Sequence, residues 1–257
     1  MGEKKFFYDN FSNEQICGMF SFGHIFTVIL FVGLLVVGAI LLHKINEKQL
    51  KIYMMTVAIA VTVMEIIKIS LRVAKNQAPD SYMPLYYCSL FIFAIWLSFA
   101  KNGILKTVAY SYMTMGAILA ACFNIFYPST SLALFPIWHP GAIHSFVYHY
   151  LMALTGILLL VKGTYVPKKI HSVHYFAYIF VACVISAIIN PILGTNCMFL
   201  ADAFGLPLLQ GLCENHPVIY MLLAGIAQAS FLYWGHFGIY KLIIYVKDKK
   251  ANGDSIQ

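Results

Sequence analysis

Cys88 lies in an apolar stretch that reads Met83-Pro84-Leu85-Tyr86-Tyr87-Cys88-Ser89-Leu90-Phe91. His149 lies in another, Ser145-Phe146-Val147-Tyr148-His149-Tyr150. A thiol and an imidazole at one level of a membrane protein can act as nucleophile and base, because only the thiolate attacks and an adjacent imidazole generates it. The bland alternative for Cys88 is a small inert apolar side chain. Three further groups bear on the choice. Glu65, Lys68 and Arg72 are spaced by three and seven residues, which puts them on one helical face. Their plainest reading is an internal Glu65–Lys68 ion pair with Arg72 reaching toward headgroups. Their functional reading is a site for a lipid phosphate or substrate headgroup.

His24, Asn124 and Asn190 fall at the ends of apolar runs, His144 lies just inside one, and Asn196 lies in the loop 191–216. Ionisable and polar groups inside a membrane are costly and mark function by default, so His24, His144, Asn190 and Asn196 join the candidate substrate-binding set. A metal site has little support. His144 and His149 are five apart, about 140° around a helix, and no HExxH clamp exists. His171 and His174 form an HxxH pair with few polar neighbours. No metal and no other cofactor is expected. Lys241 stands at the end of the last apolar run and not in its middle, which discounts a retinal protein.

The elements that must carry these groups are membrane helices. The chain of 257 residues is 61% hydrophobic and 11% charged, with mean hydropathy +0.78. Soluble domains carry about 25% charge. The expected fold is all-α, a polytopic membrane protein with seven transmembrane helices near 21–43, 52–73, 83–100, 104–124, 142–162, 171–190 and 217–241. Each run is long enough, or nearly so, to cross a bilayer. Lysines cluster in alternate loops: Lys44, Lys48 and Lys51; Lys101 and Lys106; Lys168 and Lys169; and Lys247, Lys249 and Lys250. The intervening loops hold only Lys75. The positive-inside rule then sets the N-terminus outside and the C-terminus in the cytoplasm, with Lys4 and Lys5 dissenting. The expected division is an outer segment 1–20, a membrane domain 21–245 and a cytoplasmic tail 246–257. Residues 1–20, with Asp9 and Glu14 beside the two lysines, do not read as a signal peptide. The net charge of +7 is assigned to loops facing anionic lipid. Nucleic acid is not an expected partner.

In this topology Cys88 sits about 8 Å and His149 about 10 Å below the outer surface, at the helical rise. Two longer loops, 125–141 and 191–216, also face outward and fold over that mouth. Cys197 and Cys213 share the second of them, and their spacing permits a disulfide. Tyr86, Tyr87, Trp96, Trp138 and Trp234 read as interfacial or packing aromatics. Gly235 and Gly238 read as points of close helix contact.

Four motifs carry a family resemblance. Pro84-Leu-Tyr-Tyr-Cys88, Ser145-Phe-Val-Tyr-His149-Tyr-Leu-Met, Gly194-Thr-Asn196-Cys-Met-Phe-Leu200 and Ser21-Phe-Gly-His24 resemble, in order, segments of bacterial YwaF-type integral membrane proteins. Those proteins are similar, more distantly, to the transmembrane protein 164 acyltransferase family, whose cysteine and histidine correspond by motif to Cys88 and His149. Tyr86 and Tyr87 stand where relatives often have a histidine, and Cys197 replaces a tyrosine. The resemblance implies a multi-pass protein of the bacterial cell membrane. It would be a phospholipid acyltransferase or acyl hydrolase with a membrane phospholipid as substrate. The alternative is a non-enzymatic carrier or sensor whose outer polar pocket binds an anionic solute or a lipid headgroup.

Overall fold

A computed structural model describes residues 11–12, 15–129, 131–203 and 207–253. Lys4, Lys5, Asp9, Glu14 and Gly205 lie outside the described residues, as do 254–257 and the side chains of His236, Lys247, Lys249 and Lys250. Among the described residues the regular structure is helical throughout. In chain order the helices are α1 (Phe22–Leu42), α2 (Glu47–Ala74), α3 (Leu90–Leu97), α4 (Gly103–Ser111), α5 (Ile118–Phe126), α6 (Pro140–Val161), α7 (His171–Leu193), α8 (Pro207–Asn215) and α9 (Pro217–Gly253). A π-helical turn, Tyr112–Ala117, joins α4 to α5.

Five of these runs are long and apolar enough to cross a membrane: Phe22–Leu42, Glu47–Ala74, Gly103–Phe126, Pro140–Val161 and His171–Leu193. The chain is therefore a multi-pass membrane protein. Two of the seven expected spans differ. The third, expected over 83–100, is helical only over the eight residues of α3, about 12 Å at the helical rise. The last lies within α9, whose described apolar stretch is Pro217–Ser230.

The chain divides into two compact units. The first contains 1–64 and 117–164, hence α1, most of α2, α5 and α6. Here α6 begins with His139 as its N-cap, its ring accepting from the Gly141 N–H, and with Pro140 in the first turn. Gly38 lets α1 close on α6. A Cβ there would stand 2.7 Å from the Tyr150 hydroxyl and 3.0 Å from Leu154. The Tyr150 hydroxyl donates to the Leu34 carbonyl at 3.3 Å, and the Phe31 and Phe146 rings meet edge to face. The loop after α5 is not loose. The Cys17 and Gly18 amides donate to the Phe135 and Leu132 carbonyls, and Phe11 and Cys17 pack on Leu132, Phe135 and Ala142. Trp138 stands on the same loop, 48% exposed, its ring edge-on to Phe11.

The second unit contains 65–116 and 165–257, with α7 packed against α4 and α9. Its core is built on tyrosines. Tyr112 and Tyr175 are fully buried and stacked, with centroids 6.3 Å apart. Gly116 makes that stack possible, since a Cβ would meet the Tyr175 hydroxyl at 2.6 Å and the Tyr112 ring at 2.8 Å. Gly235 is a point of close contact, against Met115, whereas Gly238 has open space beside it.

Candidate functional site

Cys88 belongs to the second unit and does not sit inside a helix. It lies in the turn Tyr86–Ser89, just ahead of α3. Side chains from neighbouring helices compete for this backbone. Tyr112 donates to the Tyr87 carbonyl, and Tyr178 donates to the Leu90 carbonyl at 2.7 Å. The Cys88 carbonyl accepts from the Phe91 amide at 3.1 Å. Proline at position 84 marks the start of the segment but not the start of the helix.

Charge gathers around this sulfur. Glu65 is buried and Lys68 half-buried, and their ion pair closes at 2.6 Å. Lys68 and Glu65 act on Cys88 in opposite senses, the ammonium for and the carboxylate against a thiolate, and Ser89 bonds the sulfur through its hydroxyl and its amide. The plain reading of the Glu65–Lys68 spacing, an internal pair, is therefore what forms, and it forms beside the thiol. Arg72 donates from Nη1 to Gln77 Oε1 at 2.6 Å.

Asp80 and Tyr86 complete the cluster, and the sequence reading missed both as site residues. Asp80 Oδ1 accepts from the Tyr86 hydroxyl at 2.5 Å and from the Asn196 amide at 2.6 Å. Tyr86 in turn lies within electrostatic reach of Cys88 and Cys197. One signal was present: Asp80 is the sole acidic residue between Glu65 and Asp202.

The two asparagines of the candidate set organise the loop after α7. Asn190 Oδ1 accepts from the Thr195 hydroxyl at 2.9 Å and the Cys197 amide at 2.8 Å, while its Nδ2 donates to the Cys197 carbonyl at 3.1 Å. Asn196 Oδ1 accepts from the Ala201 and Asp202 amides, and its Nδ2 donates to the Asp202 carbonyl. Gly194 ends α7 in the left-handed conformation that favours glycine. The Cys197–Cys213 disulfide that the spacing permits is not formed. Both thiols are free and buried, Cys197 beside the Thr195 hydroxyl and Cys213 donating to the Ala201 carbonyl. Burial pushes the Cys197 thiol up, and the Asp80 carboxylate adds to the effect. An open groove of about 440 Å³ runs beside this loop, walled by Ala187, Pro191, Val218 and Met221 and edged by Asn196 and Asp202.

His149 belongs to the first unit and is buried on α6. Its Nδ1 lies 2.7 Å from the Ser145 carbonyl. A carbonyl only accepts, so the bond assigns the proton to Nδ1 and leaves the lone pair of the neutral ring on Nε2, the state a proton acceptor needs. The Ser145 hydroxyl donates to Asn124 Oδ1 at 2.9 Å. Beside Asn124, Ser145 and Thr27 is a cavity of about 10 Å³, the room of one water. His144 stacks on Tyr148. His24 accepts at Nδ1 from the Phe20 amide at 2.9 Å and donates from Nε2 to the Ile125 carbonyl at 2.8 Å. Both ring nitrogens of His24 thus brace the start of α1. No group of three or more His, Cys, Asp and Glu residues is placed to hold a metal ion among the described residues.

No curated protein and no solved structure matches the chain. A family model does, over residues 19–234, a range that includes Glu65, Asp80, Cys88, His149 and Asn196, and on that match the chain belongs to the TMEM164 family.

Proposed function

We propose that this protein is a membrane lipid acyltransferase or acyl hydrolase, with Cys88 as nucleophile and His149 as its base. Cys88 carries the reading: a half-buried thiol ahead of a helix, bonded by Ser89 and acted on by Lys68 and Glu65, in a chain of the TMEM164 family. Pairing with His149 rests on the family's cysteine and histidine positions and on the Nδ1–H tautomer that leaves Nε2 ready for a proton.

In this mechanism His149 Nε2 takes the Cys88 proton. The thiolate attacks a phospholipid ester carbonyl, and the tetrahedral adduct collapses with cleavage of the ester C–O bond. The leaving lysolipid oxygen takes the proton back from His149, and the acyl chain remains as a thioester on Cys88. A lysolipid hydroxyl or water, deprotonated by His149, then attacks the thioester and releases the thiol. Lys68 supplies the cation that works against the cost of burying a thiolate, and Arg72 and His144 serve the headgroup. The ordered motifs support the YwaF-type branch, a seven-span protein of the bacterial cell membrane.

The test is purified protein in lipid with a labelled phospholipid and a thiol-directed acyl probe. The expected result is labelling at Cys88 and lysolipid release that disappears in Cys88→Ser and His149→Ala. Folded wild-type protein with neither labelling nor turnover sinks the reading. Solute flux that survives Cys88→Ser but fails when Arg72 or Glu65 is changed would favour a carrier.

A further inference from the structure

Three features of the second unit that the proposed chemistry does not use converge on Tyr86. The first is Asp80, whose Oδ1 holds the Tyr86 hydroxyl at 2.5 Å while also accepting the Asn196 amide at 2.6 Å. One carboxylate oxygen thereby joins the segment leading into Cys88 to the loop after α7. The second is strain. Met198 and Phe199 take φ of 54° and 53°, left-handed values that bulky side chains rarely adopt and that persist only where the surroundings over-determine them. Here they do. Asn190 bonds both the amide and the carbonyl of Cys197. Gln228 donates to the Met198 carbonyl at 2.6 Å, and Tyr220 donates to the Phe199 carbonyl at 2.9 Å. The third is the outcome of that strain: the Phe199 ring lies against the Tyr86 ring, centroids 5.6 Å apart. Tyr86 is thus held at its hydroxyl by Asp80 and at its ring by Phe199, two residues before the thiol.

We infer that Asp80 and Tyr86 form a clamp that positions Cys88, with Asp80 acting through Tyr86 and the strained Met198–Phe199 turn serving as its backstop. Asp80 is a positioning residue and not a catalytic one. Its Oδ1 accepts from two donors and reaches the nucleophile's segment through the phenol. The inference rests on Cys88 being the nucleophile, and its test separates the two claims.

The variants are Tyr86→Phe, which keeps the ring on Phe199 and removes only the hydroxyl, Asp80→Ala, and the double. Two readouts are taken on the full chain in lipid: kcat and KM for lysolipid release, and the rate of Cys88 alkylation by iodoacetamide, followed peptide by peptide. Buried Cys183 on α7 serves as the internal control for an intact fold. Misplacing a reacting group by about 1 Å costs on the order of 100-fold. Each single variant is therefore expected to lose at least about tenfold in kcat, with KM little changed. Cys88 alkylation should rise several-fold while Cys183 stays unreactive. The double should be no worse than the poorer single, because both residues act through one bond. A Tyr86→Phe protein with wild-type kcat and alkylation overturns the clamp, as do independent, additive losses in the double. If wild-type protein turns over no lipid, the acyl-transfer reading fails by itself. The alkylation rates then still decide the clamp.

Discussion

At the scale of single residues, the Glu65–Lys68 pair is the most consequential interaction outside the nucleophile. Glu65 is 5% exposed and its carboxylate has an ammonium at 2.6 Å. Removing one partner of a buried pair costs about 3–5 kcal/mol because the other charge is stranded, whereas replacing both is often neutral. Lys68→Met is therefore expected to lower thermal stability in detergent markedly, and Glu65→Gln with Lys68→Met to recover most of it. If the double is as unstable as the single, Glu65 has another counter-charge. Asn190 makes a second residue-scale case. Its side chain completes three buried hydrogen bonds around Cys197 and Thr195, and each group left unsatisfied costs about 1–3 kcal/mol. Asn190→Ala should thus be among the most damaging single changes in the loop. Loss of fold in that variant would expose Cys197 to alkylating reagents. The pH dependence of Cys197 has a definite sign. Its thiol is raised by burial, so the fold holds the neutral form. That contribution is complete below the ordinary thiol range and is lost as pH rises through the raised value. Alkylation of Cys197 in the folded protein should accordingly begin at higher pH than in the urea-unfolded chain. Equal onset would contradict the burial.

At the scale of elements, the turn Tyr112–Ala117 shows how a helix irregularity serves the site. A π-turn inserts an extra residue into the helical ladder and is frequent at functional sites. Here it sits where Tyr112 stacks on Tyr175 and donates to the Tyr87 carbonyl beside Cys88. Gly116→Ala would push a methyl to within 2.6 Å of the Tyr175 hydroxyl, an overpacking worth about 1–3 kcal/mol. Gly33→Ala meets nothing within 4 Å and should gain up to about 1 kcal/mol of helix propensity. Melting temperatures of the two variants test the contrast, and similar values would argue against the tyrosine packing. The same elements show what the sequence could reveal. Long apolar runs made α1, α2, α6 and α7 legible, and the spacing of Glu65 and Lys68 made their pairing legible. The start of α3 was not. Pro84 signals a helix start, but the carbonyls of Tyr87 and Leu90 are claimed by Tyr112 and Tyr178, whose approach is a tertiary event. The asparagines were recognisable as polar but not as loop scaffolds, because their partners are backbone groups. Asp80 was visible only as an isolated acid. That its two donors come from Tyr86 and from a loop more than a hundred residues away is information no local pattern carries.

At the scale of the whole molecule, the question left by α3 is whether its segment crosses the membrane or enters and returns. Eight helical residues cover about 12 Å at the helical rise, well short of a hydrocarbon core of about 30 Å. Non-helical backbone at membrane depth survives only where protein satisfies its polar groups, and the Tyr112 and Tyr178 hydroxyls do so for the Tyr87 and Leu90 carbonyls. The loop lysines then separate the two topologies. If the segment crosses, Lys75 lies outside while Lys101 and Lys106 lie with Lys48, Lys51 and Lys168 in the cytoplasm, as the positive-inside rule requires. If it returns, Lys75 and Lys101 share a side. Intact cells treated with a membrane-impermeant amine reagent, analysed peptide by peptide, should show modification at Lys75 and protection of Lys48, Lys101, Lys106 and Lys168 until the membrane is permeabilised. Modification of both Lys75 and Lys101 in intact cells would make the Cys88 segment re-entrant. The remaining crossings would then be even in number, and both chain ends would fall on one side.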